Sequence, residues 1–444
     1  MTARGASGLE WLLSFSDPAR GVGWNTASRG GLLWNARRTR MLLDQSGAPD
    51  RRMIVVLVAG TKGKGSTAAM LASILAASGV RTGLSTKPHL QAFRERVRVD
   101  GVAIADATLA TRADALRPHV AELRRRVPAA GAPTTFELTT VLALTHYAEE
   151  GCAVAVVEVG LGGRYDATNA TDPHVSVITT ISHDHTRELG PRLRDIATEK
   201  AGIIRPGRVT VSAGQRPEAR QVIRAACART GAQLLEVRPL ARSGALVGAH
   251  QRANAAAAVA AAQALAEHGI PFHQSAVARG LRALRWPGRF EVVGGTPVTV
   301  LDGAHNDGSA AALAATLRST FPRRRVRLVL GLMEGKDARA VLRPLLPLAS
   351  AVIATRAPGP RGLEARALAR LVRAVPVETV DDPAAALRTA RETAQRGEIV
   401  CVTGSLALVG AARDALGLPV SERLWAAGAP PHRAVARTDG TRAR

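Results

Sequence analysis

Short apolar runs alternate with stretches of helical spacing along most of the chain. In the first two thirds, runs rich in β-branched residues predict buried strands. Helical patterns lie between these runs, and the alternation predicts a mostly parallel sheet with helices on both faces. The predicted strands are 54–59, 82–86, 153–159, 175–181 and 209–213, and the predicted helices are 9–15, 32–43, 106–126, 136–149, 196–204 and 251–269.

A second series of strands and helices follows a Gly-rich break at Gly294 and Gly295. Its predicted strands are 298–301, 326–330, 351–354, 375–380 and 399–402. We therefore predict two domains, 1–293 and 297–425, and a tail at 426–444 whose polar composition predicts disorder. The expected fold class is α/β, in which a mostly parallel sheet domain with a phosphate-binding loop precedes a smaller Rossmann-like domain.

The first predicted strand leads into the glycine-rich turn GTKGKGS at 60–66, and helical spacing resumes behind it. A phosphate-binding loop requires this context, because glycines let backbone N–H groups point into the loop and the helix N-terminus adds positive potential. Lys64 is expected to reach the β- and γ-phosphates, and Ser66 or Thr67 to approach a magnesium ion. The strict eight-residue pattern is missed at two positions, and the alternative is a tight turn with an incidental lysine. The flanking elements favour a nucleotide site.

The formal net charge of +24 raises the question of nucleic-acid binding. The excess is arginine, spread in single positions and short runs, with no interleaved aromatic pattern and no recognisable nucleic-acid module. We therefore expect no nucleic-acid partner, although a basic surface would attract ATP and carboxylates. No apolar run approaches a membrane span, and no signal segment is evident at the N-terminus. Three scattered cysteines indicate a reducing compartment, so we expect a cytoplasmic protein without a membrane partner.

Only five of the 60 basic residues are lysines. Where arginine supplies charge in general, the remaining lysines are candidates for positions that need the shape or chemistry of an amine. Four of them fall in segments that other signals single out, and Lys336 does not. The five are Lys62, Lys64, Lys87, Lys200 and Lys336.

Polar residues follow several predicted strands at their C-terminal ends, where α/β enzymes place ligands. Glu158 closes an apolar strand beside a glycine turn, which favours a magnesium ligand over a merely exposed carboxylate. His183 and His185 follow the next strand, but no third residue completes a zinc site, so contact of one histidine with magnesium or phosphate is favoured. The segment 302–306, DGAHN, ends the first strand of the second domain.

Taken together, these segments resemble the folylpolyglutamate synthase/dihydrofolate synthase family, within the Mur-ligase-like ATP-dependent amide ligases. The resemblance covers roughly residues 9–416. It rests on blocks found in the same order, namely VAGTKGKGST, KPHLQAFRERVRVDG, TTFELTT, VEVGLGGRYDATNA, ISHDHT, IATEKAGII, HQRANA, RWPGRFE, LDGAHN and VTGSL.

The resemblance implies a set of site residues. Glu158 and His185, together with Ser66 of the loop, are the implied magnesium ligands, and Lys200 is the lysine that this family carries as a carbamate. Lys64, Lys200 and His185 are the implied catalytic residues. The implied ATP site is Thr61, Lys62, Gly63, Lys64, Gly65, Ser66, Asn254, Arg289, Asp302 and His305, and the implied pterin-facing residues are Lys87, His89, Thr135, Phe136 and Tyr165.

One position departs from the family pattern. Lys87 stands where the family commonly has a serine that binds magnesium, and an ammonium group cannot bind a metal ion. Either Ser85 or Thr86 replaces that serine, or Lys87 supplies positive charge in place of one ion.

The implied reaction joins L-glutamate to a folate-type carboxylate through an acyl phosphate, with ATP as substrate and magnesium as cofactor. We expect the protein to be a monomer. Dihydropteroate, tetrahydrofolate or both remain open as acceptors. A related Mur-type ligase acting on a non-folate carboxylate is the main alternative, but a peptidoglycan ligase needs an N-terminal domain, and only some fifty residues precede the loop. A P-loop ATPase would not need the DGAHN domain, and nucleic-acid binding rests on charge alone.

Overall fold

Two sheets organise the chain in a computed structural model, which describes residues 7–17, 21, 23 and 31–425. The tail predicted at 426–444 lies outside the described residues. The first sheet has the strand order β4-β3-β2-β5-β1-β6-β7-β8. Its six strands β2, β5, β1, β6, β7 and β8 are parallel, whereas β3 pairs antiparallel with β2 and β4 pairs antiparallel with β3. Its strands are β1 Ile54–Ala59, β2 Thr82–Ser85, β3 Val97–Val99, β4 Val102–Ala103, β5 Val154–Glu158, β6 Val175–Ile178, β7 Val209–Ser212 and β8 Gln233–Glu236.

Helices cover both faces of this sheet, as the alternating pattern predicts. One core lies under α3, α10 and α11, and the other lies under the remaining helices of the domain. The predicted helix 106–126 is two helices, because Pro118 lacks the N–H that a continuing helix needs. The helices are α1 Gly8–Leu13, α2 Asn35–Gln45, α3 Lys64–Ala77, α4 Asp106–Ala115, α5 Arg117–Arg126, α6 Thr135–Glu149, α7 Thr186–Leu189, α8 Leu193–Ala201, α9 Pro217–Thr230, α10 Ala249–Ala264 and α11 Gln274–Ala283.

The second sheet has the order β13-β12-β11-β14-β10-β9, in which only β9 is antiparallel. Its strands are β9 Glu291–Val293, β10 Val298–Leu301, β11 Val326–Leu330, β12 Ala349–Ala354, β13 Val377–Thr379 and β14 Ile399–Thr403. Apolar clusters on its two faces pack against α12 Asp307–Thr320, α13 Ala338–Leu345, α14 Ala365–Ala369, α15 Pro383–Glu392 and α16 Leu406–Ala415.

The junction between the two sheets differs from the predicted boundary. Because β9 pairs with β10, the second sheet begins at Glu291, and the Gly-rich break at 294–295 is the turn between these two strands. The C-terminal segment also returns to the first sheet, where Arg423 bridges Val102 and the side chain of Trp425 joins the core under α3. The segment 420–425 therefore packs with the first domain, although its sequence position suggests the second.

The C-terminal ends of the central strands of both sheets face the same space. The loops after β1, β2, β5 and β6 approach it from one side, and the loops after β10 and β14 approach it from the other. Open α/β sheets bind ligands at this edge. Among the described residues, no helix is both long and apolar enough to cross a bilayer.

Candidate active site

A cavity of about 500 Å³ lies between the two domains and is lined from both sides. Most of the predicted site residues meet there, although they come from distant parts of the chain. Those that line it are Thr61, Lys62, Gly63, Lys64, Gly65, Ser66, Lys87, Glu158, His185, Lys200, Asn254, Arg289, Asp302 and His305.

The turn at 60–66 has the geometry of a phosphate-binding loop, because it joins the central strand β1 to α3, whose N-terminus points into the cavity. Gly63 precedes the helix with a φ of 85°, a conformation that favours glycine. A Cβ atom on Gly63 would lie 2.1 Å from Oδ1 of Asn254, so α10 leaves no room for a side chain. The conformation therefore favours glycine here, and any side chain would have to displace the amide of Asn254.

Glu158 ends β5 directly beside this loop. Its Oε2 accepts a hydrogen bond from the backbone N–H of Lys87 at 2.9 Å, and a Cβ atom on Gly65 would lie 3.2 Å from the same oxygen. No described residue donates a hydrogen bond to the other oxygen. A carboxylate oxygen and the nearby hydroxyl of Ser66 are hard donors that suit Mg²⁺, which takes few protein ligands and completes its shell with phosphate oxygens and water.

His185 precedes the short helix α7 and lines the cavity with a half-exposed ring. Its backbone φ of 51° is unusual for a residue other than glycine. Within the part of the chain that the structure describes, no three His, Cys, Asp or Glu side chains form a metal-binding group. A magnesium ion at this place would therefore depend on oxygen atoms of the nucleotide as well as on the protein.

Lys200 is a buried amine in the last turn of α8, with an exposed fraction of 5%. None of the described residues accepts a hydrogen bond from its Nζ atom. Burial, the largest cause, and the positive charge of Lys64 lower the pKa of Lys200 to about 7. A large share of this amine is therefore neutral near pH 7, as the addition of CO₂ requires.

The second domain and α10 supply the opposite wall. Asp302 follows β10, and its two oxygens accept hydrogen bonds from the backbone N–H groups of Phe290 at 2.8 Å and Ala304 at 2.9 Å. Asp302 thus shapes the junction at which the chain enters the second sheet, in addition to lining the cavity. Asn254 donates a hydrogen bond to Gln251 at 2.8 Å, and both side chains are buried in the first turns of α10.

The predicted pterin-facing residues divide into two groups. Lys87 lines the cavity, and its ammonium nitrogen lies 4.8 Å from the ring centroid of Phe136. His89 lines a smaller neighbouring cavity of about 40 Å³, where Nε of Arg96 donates a hydrogen bond to Nδ1 of His89. Phe136 thus contacts the large cavity's wall through Lys87, whereas His89 belongs to the neighbouring cavity.

Thr135 and Tyr165 are not brought to the cavity. Thr135 is fully buried, and its hydroxyl group donates a hydrogen bond to the carbonyl of Leu12 at 2.8 Å, which connects α6 to α1. The first residue of α6 thus faces the core and not the cavity, and contact of Thr135 with substrate stays a prediction. Tyr165 lies in the loop after β5 but does not line the cavity.

Sequence reasoning misses Asp184, Gln251 and Lys336 as site residues. Asp184 lines the cavity and accepts hydrogen bonds from Lys62 at 2.9 Å and from Lys336 at 3.3 Å. Burial alone would raise the pKa of Asp184, but these two ammonium groups hold it well below its usual range. The rarity of lysine was a signal for Lys336. The polar start of an alanine-rich helix was a signal for Gln251.

Comparisons with known proteins agree with this architecture. The Mur ligase middle domain family matches residues 58–230, and the Mur ligase, glutamate ligase domain family matches residues 288–406. A dihydrofolate synthase/folylpolyglutamate synthase of Bacillus subtilis is 33% identical over 406 residues, which cover 85% of this chain and 94% of the relative.

Two solved structures are similar over most of their length. Folylpolyglutamate synthase of Mycobacterium tuberculosis, complexed with ADP and AMPPCP, has a TM-score of 0.81 and 33% identity, covering 87% of this chain and 96% of that chain. Escherichia coli FolC in complex with DHPP and ADP has a TM-score of 0.77 and 29% identity, covering 93% of this chain and 98% of that chain.

Proposed function

The chain belongs to the folylpolyglutamate synthase/dihydrofolate synthase family of Mur ligases, and we propose that it joins L-glutamate to a folate-type carboxylate with ATP as the energy source. The observation that carries this proposal is the convergence on one cavity of a phosphate loop, the carboxylate of Glu158, Arg289 at the domain junction, and the second-domain residues Asp302 and His305. A nucleotide held by the loop would be enclosed by the second domain, as an acyl phosphate protected from water requires.

The proposed chemistry begins with a carboxylate, which is a poor acyl donor until one of its oxygens is phosphorylated. The acceptor's carboxylate oxygen bonds the γ-phosphorus of ATP, and the bond to the β–γ bridging oxygen breaks, which leaves ADP and an acyl phosphate. The amine of glutamate then attacks the acyl carbon, phosphate departs with the bonding electron pair, and the amine loses a proton. Lys64 lies where it would neutralise charge that develops on the transferring group.

The residues present fit magnesium, which when bound supplies positive charge to the phosphate oxygens. Ser66 and Glu158 would hold it, and the ring of His185 reaches the same cavity from the loop after β6, which lies on the other side of β1 from Glu158. We further propose that Lys200 carries a carbamate, because the amine is buried, lacks a partner among the described residues and has its pKa lowered to about 7. A carbamate would supply the pair of anionic oxygens that a lysine itself cannot.

The position of Lys87 favours one of the two alternatives for the missing serine. Ser85 pairs within β2, and neither Ser85 nor Thr86 lines the large cavity, whereas Lys87 does. The backbone of Lys87 already bonds Glu158. We propose that its ammonium group supplies a fixed positive charge beside Glu158 in place of one metal ion.

Replacing Lys87 by serine is expected to increase the number of Mn²⁺ ions bound per enzyme–AMPPCP complex, counted by electron paramagnetic resonance. The physical reason is that the variant replaces a repelling ammonium with a hydroxyl oxygen, which is a donor that a hard cation accepts. Ser85→Ala is the matched control and should leave the count unchanged. An equal Mn²⁺ count in the wild type and in Lys87→Ser would contradict the fixed-charge role.

The proposed function is tested by incubating the enzyme with ATP, L-glutamate and either dihydropteroate or tetrahydrofolate. We expect ADP release that depends on an acceptor, together with a product heavier than that acceptor by one glutamyl residue. The two acceptors in parallel decide between dihydrofolate synthase activity, polyglutamate synthase activity and both. Turnover with a UDP-linked carboxylate and with neither folate would favour the alternative, a Mur-type ligase for a non-folate acceptor.

A further inference from the structure

Asp184 joins the two domains through polar groups at the cavity, apart from the contacts that Gln91 makes with Arg413 and Asp414 of α16. Its carboxylate contacts Lys62 of the phosphate loop at 2.9 Å on one side, and Asn306 at 3.1 Å and Lys336 at 3.3 Å on the other. Asn306 and Lys336 both belong to the second domain. The carboxylate is 14% exposed, and the side chains of Lys62 and Lys336 are about one quarter exposed, so solvent screens these contacts only in part.

Asn306 is oriented by the helix that it begins. It caps α12, where its Oδ1 accepts hydrogen bonds from the backbone N–H of Ser309 at 3.1 Å and from the hydroxyl group of Ser309 at 2.8 Å. With Oδ1 occupied by the cap, the Nδ2 donor is the end of the amide that faces Asp184. The direction of this hydrogen bond between domains is therefore built into the cap.

Lys336 comes from a separate element of the second sheet. It lies in the loop between β11 and α13, whereas Asn306 follows β10, so two strand ends of the second sheet reach the same carboxylate. The chain uses lysine at only five positions, and the other four line the cavity directly. Lys336 is thus connected to the cavity lysines through Asp184. This contact gives a role to the one lysine that no sequence motif accounts for.

We infer that Asp184 is a positioning residue that docks the second domain onto the phosphate loop, with Lys336 and Asn306 as its docking partners and Lys62 as the loop group that it holds in place. This role rests on the proposed function only in its consequence, because a docked second domain closes the nucleotide cavity. Docking itself can be measured without any substrate.

A different role for Lys336 would be direct contact with the phosphates of ATP, with Asp184 merely competing for its ammonium group. The two roles predict opposite results for Asp184→Asn. If Asp184 docks the domains, its replacement should weaken AMPPCP binding, by about tenfold for coupled groups of this kind. If Asp184 only competes with phosphate, removal of its negative charge should tighten AMPPCP binding.

The experiment uses Asp184→Asn, Lys336→Met, the double variant and the matched control Arg343→Met. Arg343 pairs with Asp307 of the same domain at 3.0 Å, and both side chains are exposed. Replacing Arg343 therefore removes a surface cation without changing the cavity. We expect both single variants to show a larger radius of gyration by small-angle X-ray scattering and weaker AMPPCP binding. The double variant should bind AMPPCP no more weakly than the single variant that binds it less tightly. Arg343→Met should match the wild type in both measurements.

Additive losses in the double variant, an unchanged radius of gyration in Lys336→Met, or tighter AMPPCP binding in Asp184→Asn would each overturn the docking role. These outcomes are distinct from failure of the proposed function. That function fails if the wild-type enzyme shows no turnover with folate-type acceptors, whereas scattering and AMPPCP binding report on docking whatever the acceptor is.

Discussion

Replacing Lys64 by alanine is expected to lower the rate of amide formation by a factor on the order of 10² or more, the loss typical of removing one charge that stabilises a transition state. Lys64 is the first residue of α3 and lines the cavity. Among the described residues, no carboxylate pairs with it, in contrast to Lys62, which is held by Asp184. Its charge is therefore available to the transferring phosphoryl group.

The same substitution should leave the protein as stable as the wild type or more stable. The charge of Lys64 repels the ammonium groups of Lys62 and Lys87, as its lowering effect on their pKa values indicates. Removing one of these three like charges from the cavity relieves that repulsion. A loss of activity together with unchanged or increased stability is typical of a residue that serves function at a cost in stability.

Turnover measured by ADP release and the midpoint of thermal unfolding, both taken on the same preparation, would check this pair of expectations. Arg343→Met serves again as a control that removes a surface cation and should change neither quantity. Near-normal turnover of Lys64→Ala would remove Lys64 from the proposed chemistry. Loss of turnover accompanied by a large fall in thermal stability would mean that Lys64 acts through the fold.

The parts of the fold and site that could be predicted from the sequence are those encoded locally. The phosphate loop needs only its own glycines and the two elements that flank it, so β1, the turn and α3 were all predictable. Glu158 was found for a similar reason, since a carboxylate at the end of an apolar strand is visible in one segment. The edge strands β4 and β8 and the three-residue strand β3 were missed because they are short and lack a distinct apolar run.

What could not be predicted depends on contacts between distant segments. The bond between Asp184 and Lys336 joins residues 152 positions apart, and neither segment contains a signal for the other. The return of residues 420–425 to the first sheet is equally invisible, because a segment of this length is too short to carry a pattern that identifies its partner. Thr135 shows the reverse case, since its motif predicts contact with substrate whereas its position at the start of α6 places the side chain in the core.

Replacing Lys200 by arginine is expected to abolish activity as completely as replacing it by alanine, a loss on the order of 10² or more. A guanidinium group keeps its proton at any ordinary pH and cannot add CO₂. In the wild type, the neutral amine nitrogen bonds the carbon of CO₂, an electron pair moves onto oxygen, and the nitrogen releases a proton. The resulting carbamate carries about one negative charge and two oxygens, which suit a hard cation.

Activity alone would not separate this role from simple pairing with phosphate, so a spectroscopic measurement is needed. Enzyme equilibrated with ¹³C-bicarbonate should show a carbamate carbon signal by NMR that Lys200→Arg lacks, and Lys336→Met, which removes a different lysine from the site, should keep it. Short carboxylic acids should restore part of the activity of Lys200→Ala, because they can bring two oxygens into the space that the side chain leaves. Full activity in Lys200→Arg, or the same carbon signal in that variant and in the wild type, would leave Lys200 as an ordinary cation, and the low pKa of its buried amine would then follow from packing alone.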